Sequence, residues 1–293
     1  DYETLKVINP KLIYCSITGF GQTGPYKDKP GYDFVIQAMS GLMSITGEKD
    51  SLPGGGPQKC GVAISDLLTG LYAACAIQTA LIHRLRTGKG QCIDIALFDV
   101  MLGSLANVNM NYLISQQVPQ RHGNAHPNIV PYQAFHAADG VIVVAVGNDA
   151  QYEKLCEAIE RLDLALDKRF RTNADRVRHR DALIPVLADE FARRTVSWCT
   201  QTLQTVGVPC GPINNIEEAL NDPQTLARNM RINLPHPQAG TVPLVGNPLH
   251  FSETPVDYQE APPTLGAHTD DILKGLVGLD QKTIDLLRHR KII

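Results

Sequence analysis

The sequence predicts an α/β protein that has a parallel sheet in a large domain, followed by a smaller α+β domain. Two segments with strand composition, Lys11–Thr18 and Gln91–Leu97, alternate with two helical patterns, Asp66–Arg86 and Phe98–Ser115. Such alternation is typical of parallel strands that are covered by helices. A hairpin pattern followed by mainly helical patterns begins after residue 128 and predicts the second domain.

Between the first strand and the long helix, the chain predicts two loops, a helix and a short strand. Glycine and proline indicate a loop at Gly19–Gly31, and polar residues indicate another at Thr46–Lys59. Apolar residues at helical spacing predict a helix over Tyr32–Ser44. The short apolar segment Cys60–Ile64 predicts a strand that ends just before Asp66.

The composition changes at residues 116–128, which predicts a linker or flap between the two domains. The hairpin strands are predicted at Tyr132–His136 and Val141–Val146. The later patterns predict three helices, two short strands and a final helix: Ala150–Glu160, Asp175–Arg193 and Ser197–Val206, then Thr241–Leu244 and Leu249–Phe251, then Asp270–Val277.

Composition and charge exclude several function classes. The 293 residues are 43% hydrophobic and 19% charged, with a formal net charge of −3, so no overall attraction to nucleic acid or anionic lipid is expected. We expect that no apolar stretch approaches the length of a membrane span, about 20 residues, and we expect no membrane association. The seven scattered cysteines predict buried, reduced thiols in a cytoplasmic or mitochondrial-matrix compartment.

The segment Gly19–Gly24 satisfies the GxGxxG pattern of dinucleotide-binding proteins directly after a strand. In those proteins the glycines open a helix whose N-terminus faces the pyrophosphate. Here Pro25 and Pro30 follow, so we expect that no helix begins within the motif. A structural glycine turn is the favoured interpretation, and an NAD-dependent oxidoreductase is the alternative.

Asp66 is the residue whose position most favours catalysis. It lies at the predicted start of the long helix, where the helix dipole stabilises an ionised carboxylate. Such a carboxylate can act as a covalent nucleophile in acyl transfer. The spacing alone favours a structural role over catalysis, with Ser65 or Asp66 as the N-cap of the helix.

The remaining polar clusters have weaker implications. His122 and His126 lie beside glycine and proline rather than on a helix, so we predict no zinc site. Their segment suits a loop that covers a site, or a plain surface connection. A basic cluster is predicted to form a solvated helix face, and its members are Arg176, Arg178, His179 and Arg180.

Several ordered motifs resemble the class III CoA-transferases, the family of formyl-CoA transferase and carnitine CoA-transferase. They are Leu12–Tyr26, Gly31-Tyr32-Asp33, Ser40–Met43, Gly61–Asp66 with Gly70-Leu71-Tyr72, Arg86–Gln91 and Pro262–Thr269. The resemblance extends over essentially the whole chain. It is greatest to the succinyl-CoA–glutarate branch, in the segments Gly123–Phe135 and Gly207–Asn215.

The resemblance implies the site residues. The catalytic aspartate of the family falls on Asp66. The family's CoA-contacting segment falls on five consecutive residues: Lys29, Pro30, Gly31, Tyr32 and Asp33. The flap over the active site falls on Gly123, Asn124, Ala125, His126, Pro127 and Asn128. Because His126 and Pro127 stand where the formyl-specific enzyme has glycines, formyl-CoA is not the expected substrate.

The resemblance also implies the reaction and the assembly. CoA would pass from an acyl-CoA to a carboxylic acid through an aspartyl-CoA thioester, with CoA as co-substrate and with no metal or NAD. The expected fold is a large open, nucleotide-like (Rossmann-type) domain, residues 1–115, with a linker and flap at 116–128 and a small domain at 129–224. Residues 225–293 would return to the large domain, in an interlocked homodimer. Members of the family begin with a further N-terminal segment, and we expect one here.

Two alternatives remain within the same fold. One is a 2-methylacyl-CoA racemase. The racemases that resemble this family carry a histidine at the position of Tyr32, and a phenol is a much weaker general base than an imidazole at neutral pH. The other is a CoA-binding protein without catalytic activity.

Overall fold

A computed structural model describes residues 1–293, and the chain forms two compact units, Asp1–Pro212 and Ile213–Ile293. The fold is a mixture of helices with one parallel and two antiparallel sheets. The predicted α/β class is therefore confirmed. The domain boundaries that the sequence suggests at residues 115, 128 and 224 stay a prediction.

The parallel sheet of the first unit consists of β1 (Ile13–Thr18) and β2 (Gln91–Ala96), which pair from Ile13↔Gln91 to Thr18↔Ala96. Six helices accompany this pair: α1 (Tyr2–Ile8), α2 (Asp33–Met39), α3 (Leu42–Ile45), α4 (Ile64–Thr87), α5 (Leu97–Ser104) and α6 (Ala106–Ser115). Buried apolar residues of α2 and α5, including Ile36 and Met101, form a core beside the sheet. The predicted strand–helix alternation is confirmed.

Three of the predicted helices are each divided in two, and one of them, Asp175–Arg193, is interrupted at His179. The pattern over Tyr32–Ser44 becomes α2 and α3, because Gly41 adopts a φ of +96°, which a helix does not allow. The pattern over Phe98–Ser115 becomes α5 and α6, which meet at Leu105.

The predicted strand at Cys60–Ile64 does not form. The side chain of Gln37 occupies the place that a neighbouring strand would take. Its Oε1 accepts from the N–H of Cys60 at 2.9 Å, and its Nε2 donates to the carbonyl oxygen of Val62 at 3.4 Å. The helix α4 then begins at Ile64, before the predicted strand would end.

The second half of this unit contains an antiparallel sheet with strand order β3-β4-β5: β3 (Tyr132–His136), β4 (Val141–Ala145) and β5 (Cys210–Pro212). The predicted hairpin is confirmed, and the short strand β5 was not predicted. Five helices pack with this sheet: α7 (Asp149–Ala158), α8 (Leu162–Leu166), α9 (Asn173–Arg178), α10 (Arg180–Ala192) and α11 (Val196–Thr205). Their fully buried core includes Ile142, Leu183 and Phe191.

The basic cluster around α9 is not the predicted solvated face. Arg176 is fully buried, donates to the carbonyl oxygen of Val130 at 2.6 Å and pairs with Asp149 at 2.8 Å. Only Arg178 matches the prediction, as an exposed partner of Asp175. The local sequence cannot show that Arg176 is buried and Arg178 exposed, because the partners of Arg176 are distant in the sequence.

The second unit, Ile213–Ile293, holds an antiparallel pair and four helices. The strands are β6 (Arg231–His236) and β7 (Gly240–Val245), and the helices are α12 (Ile216–Asn221), α13 (Pro223–Ala227), α14 (Thr269–Gly275) and α15 (Gln281–His289). The predicted strand at Thr241–Leu244 lies within β7. No strand forms at Leu249–Phe251, because no neighbouring strand pairs with it.

The helix α4 corrects two expectations from composition. Its 24 residues are long and apolar enough to cross a membrane by length and composition, so the expectation that no stretch reaches this length was wrong. Only 22% of its most apolar window is buried in this chain, and Leu67, Leu71 and Leu85 are exposed. Cys75 on this helix is also exposed, and so is Cys92 on β2, so the expectation of buried thiols is wrong for these two.

Candidate active site

The glycine motif after β1 forms a turn that is fixed by two hydrogen bonds. Gly21 has a φ of +88°, and its N–H donates to Oγ1 of Thr18 at 2.8 Å. The next residue, Gln22, donates its N–H to Oδ2 of Asp94 at 2.9 Å. Between the end of β1 at Thr18 and Asp33 no helix begins, which confirms the expectation that this motif does not open a helix.

A close approach of two glycines places the predicted CoA segment against the end of β1. A Cβ atom added to Gly19 would lie 2.6 Å from the Cα of Gly31, so neither position has room for a side chain. The residues beside Gly31 are exposed. Lys29 lies with its Nζ 3.8 Å from the ring centroid of Tyr26, Pro30 is exposed, and the side chain of Tyr32 is 81% exposed.

Asp33, the last residue of this segment, points its carboxylate at the start of α4. Its Oδ1 accepts from the N–H of Ser65 at 2.9 Å and from the hydroxyl of Ser65 at 2.6 Å. Its Oδ2 accepts from Nε2 of Gln37 at 2.7 Å. Partial burial acts to raise the pKa of the Asp33 carboxyl, but the hydrogen bonds from Ser65, Gln37 and the N–H of Asp66 outweigh it and lower the pKa.

Asp66 lies in the first turn of α4 and is exposed. The N-cap of this helix is Ala63, which has no side-chain capping bond, so the suggestion that Ser65 or Asp66 is the cap is wrong. The capping acceptor comes instead from Asp33 on α2, which lies 32 residues before Ser65 in the sequence. The carboxylate of Asp66 is therefore free of the backbone, at the positive end of the helix dipole.

The flap loop, which we define as residues 123–128, is attached at its start to the preceding part of the chain. The N–H of Gly123 donates to the carbonyl oxygen of Gly47 at 3.1 Å. Two residues earlier, Arg121 forms an ion pair with Asp50. These contacts fix where the flap loop begins.

The far end of the flap loop is attached to α9 and α10. Nη2 of Arg180 donates to the carbonyl oxygens of His126 at 3.1 Å and of Pro127 at 2.7 Å. Nδ2 of Asn173 donates to the carbonyl oxygen of Asn128 at 2.8 Å. The loop is thus held at both ends by side chains and backbone groups that lie outside it.

Within the flap loop, local hydrogen bonds define the backbone turn. The N–H of Ala125 donates to the carbonyl oxygen of His122 at 3.0 Å, and the N–H of Asn128 donates to Nδ1 of His126 at 3.0 Å. Asn124 is exposed at the tip. The loop therefore presents its tip residue to solvent while its ends are fixed.

A cavity of about 420 Å³ lies between α6 and the flap loop. Across it, the side-chain amides of Asn111 and Asn128 pair at 3.0 Å. The cavity is lined by polar and small residues that include Ser115, Gln120, His122 and Gly123. A volume of this size suits a small organic ligand.

His122 borders this cavity, and its Nδ1 is buried without a hydrogen-bond partner. Burial lowers the pKa of His122, and the positive charges of Arg180 and Lys49 lower it further. A neutral imidazole is therefore favoured at this position.

The structure brings together some of the predicted site residues. Asp33 and Asp66 meet at the start of α4, whereas the flap loop is bonded to other parts of the same unit. Sequence reasoning missed Gln37 and assigned Arg180 to a solvated face. The i, i+4 spacing of Asp33 and Gln37 on one helix could have indicated the role of Gln37. No sequence signal indicated that Arg180 holds the flap loop.

A family model described as CoA-transferase family III matches residues 1–269. Because the match covers most of the chain, the protein belongs to CoA-transferase family III. This confirms the resemblance that the ordered motifs indicated.

Curated relatives and solved structures agree with this assignment. The chain is 49% identical over 285 residues to the succinate–glutarate CoA-transferase of Agrobacterium fabrum, which covers 96% of this chain and 69% of the relative. It is 41% identical to the human succinyl-CoA:glutarate CoA-transferase, over 100% of this chain and 66% of the relative. The chain thus spans about two thirds of the length of these relatives.

Among solved structures, a CaiB/BaiF family protein from Brucella suis is 49% identical with a TM-score of 0.77, over 94% of this chain and 71% of that chain. Rv3272 from Mycobacterium tuberculosis is 28% identical with a TM-score of 0.78, over 92% of this chain and 71% of that chain.

Proposed function

We propose that this protein moves CoA from an acyl-CoA to a carboxylic acid, and that its acids are dicarboxylates of the succinate and glutarate type. The observation that carries the proposal is the 49% identity to a succinate–glutarate CoA-transferase over 96% of the chain. A second relative that is named for the same two acids is 41% identical over the whole chain.

In this proposal Asp66 is the nucleophile. Its carboxylate attacks the carbonyl carbon of the donor thioester, the C–S bond breaks, and CoA leaves as the thiolate from a mixed anhydride. The thiolate then attacks the side-chain carbonyl of Asp66, which releases the donor acid as a carboxylate and leaves an aspartyl-CoA thioester. The acceptor carboxylate repeats both steps in reverse and regenerates the Asp66 carboxylate.

The surroundings of Asp66 suit these steps. It is exposed in the first turn of a 24-residue helix, where the positive end of the helix dipole stabilises the ionised nucleophile. The exposed residues Lys29, Pro30 and Tyr32 are proposed to contact CoA beside it. The flap loop, with Asn124 at its exposed tip, is proposed to cover the bound acyl group.

The proposed assembly is an interlocked homodimer with a nucleotide-like large domain. The exposed apolar face of α4, with Leu67, Leu71 and Leu85, supports an interface with a second copy. Its proposed location is a reducing compartment such as the cytoplasm.

The test is a panel of acids with the full chain. Succinyl-CoA and glutarate should give glutaryl-CoA and succinate, and Asp66→Ala should abolish this exchange while the protein stays folded. Hydroxylamine added after acyl-CoA should leave a modified Asp66 that is detectable by peptide mass. Normal turnover by a folded Asp66→Ala protein would show that another residue is the nucleophile.

A further inference from the structure

We infer that Asp33 is a positioning residue for Asp66, and that it acts through the start of α4 rather than by contact with CoA. The inference rests on the proposed function of Asp66. It assigns to Asp33 a role that differs from that of its exposed neighbours Lys29 and Tyr32.

Both oxygens of the Asp33 carboxylate already accept hydrogen bonds within the protein. Oδ1 accepts two hydrogen bonds from Ser65, at 2.9 Å from the N–H and 2.6 Å from the hydroxyl. Oδ2 accepts from Gln37 at 2.7 Å. Ser65 and Gln37 are both fully buried, so these bonds are shielded from water.

The helix α4 has no side-chain N-cap within its own segment. Ala63 at its N-cap offers no side-chain acceptor, and the N–H of Ser65 would be unpaired without Asp33. Ser65 directly precedes Asp66. The bond from Asp33 to Ser65 therefore fixes the first turn, and with it the direction of the Asp66 side chain.

The side-chain amide of Gln37 can form its hydrogen bonds in only one orientation. Its Oε1 accepts from the N–H of Cys60 at 2.9 Å, so its Nε2 must face Asp33. Asp33 then has to present an acceptor on both of its oxygens. An amide in place of the carboxylate would set an NH₂ group against the NH₂ group of Gln37.

The decisive variant is Asp33→Asn. We expect kcat for CoA transfer to fall by about tenfold to a hundredfold, because a displaced nucleophile loses its attack geometry. The KM for acyl-CoA should stay within about twofold, since no CoA contact is lost. Trapping of the aspartyl thioester by hydroxylamine should slow by the same factor as kcat.

A compensating variant tests whether the hydrogen bond between residues 33 and 37 is needed for catalysis. In the double variant Asp33→Asn with Gln37→Glu, the new amide can donate to the new carboxylate, which still accepts from the N–H of Cys60. Only the long 3.4 Å bond from residue 37 to the carbonyl oxygen of Val62 is lost. We expect this double variant to recover at least about tenfold of the lost kcat. Gln37→Glu alone places two carboxylates together, so its kcat should fall below that of the wild type.

Asp28→Asn is the matched control, because Asp28 is an exposed acid of the same loop, and its kcat should equal that of the wild type. An Asp33→Asn protein with unchanged kcat, or with a raised KM and unchanged kcat, would overturn the inference. If Asp33→Asn does not fold, Ser65→Ala decides: a fall in kcat at constant KM supports the inference, and an unchanged kcat overturns it. An active Asp66→Ala protein would instead refute the proposed role of Asp66 as the nucleophile.

Discussion

The guanidinium of Arg180 donates a 2.7 Å hydrogen bond to the carbonyl oxygen of Pro127, and a second bond reaches the carbonyl oxygen of His126 at 3.1 Å. Arg180 begins α10, whereas both acceptors lie in the flap loop. Burial lowers the pKa of Arg180, and the neighbouring Asp181 opposes this shift. A partly desolvated cation thus holds the loop through its backbone, and the attachment does not depend on the side chains of the loop.

We predict that Arg180→Ala loosens the flap loop. Hydrogen bonds from a charged donor contribute about 1.5–3 kcal/mol each, so their loss should favour local opening. Amide hydrogen exchange of Ala125 and Asn128 should become at least about tenfold faster, while exchange in β4 stays unchanged. Hydrogen–deuterium exchange followed by mass spectrometry measures both.

Arg178→Ala is the matched control for this variant. Arg178 is exposed and pairs only with Asp175, at 2.9 Å, so its loss should leave the flap loop unaffected. Equal exchange rates in the wild type and in Arg180→Ala would show that other contacts, such as those of Asn173, hold the loop.

A second prediction concerns Glu190, which is nearly buried and bonds to Arg194 at 2.8 Å and to Arg161 at 3.0 Å. The hydrogen bond from Arg194 is the main cause that lowers the pKa of Glu190 below 4.5, with Arg161 adding to it against the effect of burial. Because the pKa of Glu190 is lower in the folded protein than in the unfolded chain, its ionised carboxylate stabilises the fold at pH values above the unfolded-state pKa. That stability is lost as the pH falls below about 4.5.

We therefore expect Glu190→Gln to lower the free energy of unfolding at pH 7 by about 1.5–3 kcal/mol. Its stability should also depend less on pH below about 4.5 than that of the wild type. Urea unfolding at several pH values measures both effects. Asp189→Asn is the control, because Asp189 is exposed on the same helix. Parallel pH profiles for Glu190→Gln and the wild type would contradict the assignment.

Several strands, one long helix and one turn could be predicted from the sequence. The strands β1, β2, β3 and β4 follow from apolar, β-branched segments, because such segments have one favoured state once they are buried. The helix at Asp66 follows from its long apolar pattern. The turn at Gly19–Gly24 follows from Pro25, which prevents a helix there.

Two of the errors involve partners that are distant in the sequence. The Cys60–Ile64 segment has strand composition, but Gln37, 23 residues earlier, takes up its backbone groups. Arg176 resembles a surface arginine until its acceptor at Val130, 46 residues away, is known. Periodicity reports the local preference of the chain, and tertiary hydrogen bonds can override that preference.

A third prediction concerns assembly. We expect a homodimer that stays associated on dilution to micromolar concentration. The helix α4 exposes apolar residues, including Leu67, Leu71 and Leu85, that a second copy of the chain would bury. Sedimentation velocity on the full chain measures the mass directly. A folded monomer at micromolar concentration would refute the prediction.

The fourth prediction separates CoA transfer from racemisation, and it depends on Tyr32. A racemase needs two groups that exchange a proton with the α-carbon of the acyl chain, one on each face. Tyr32 is 81% exposed and forms no hydrogen bond that would activate its hydroxyl as a base. Its phenol suits hydrogen bonding to a thioester or carboxylate oxygen, whereas proton abstraction requires a better base at neutral pH.

We therefore predict no enzyme-dependent α-deuterium incorporation when a 2-methylacyl-CoA is incubated with the protein in heavy water, even where CoA transfer proceeds. Mass spectrometry of the recovered thioester measures the exchange, and heat-denatured protein gives the background. Tyr26→Phe, a change of a nearby phenol in the same segment, is the matched control. Rapid α-exchange that disappears in Tyr32→Phe but persists in Tyr26→Phe would identify Tyr32 as a proton-transfer group, because only a base at that position can lose its activity with the hydroxyl.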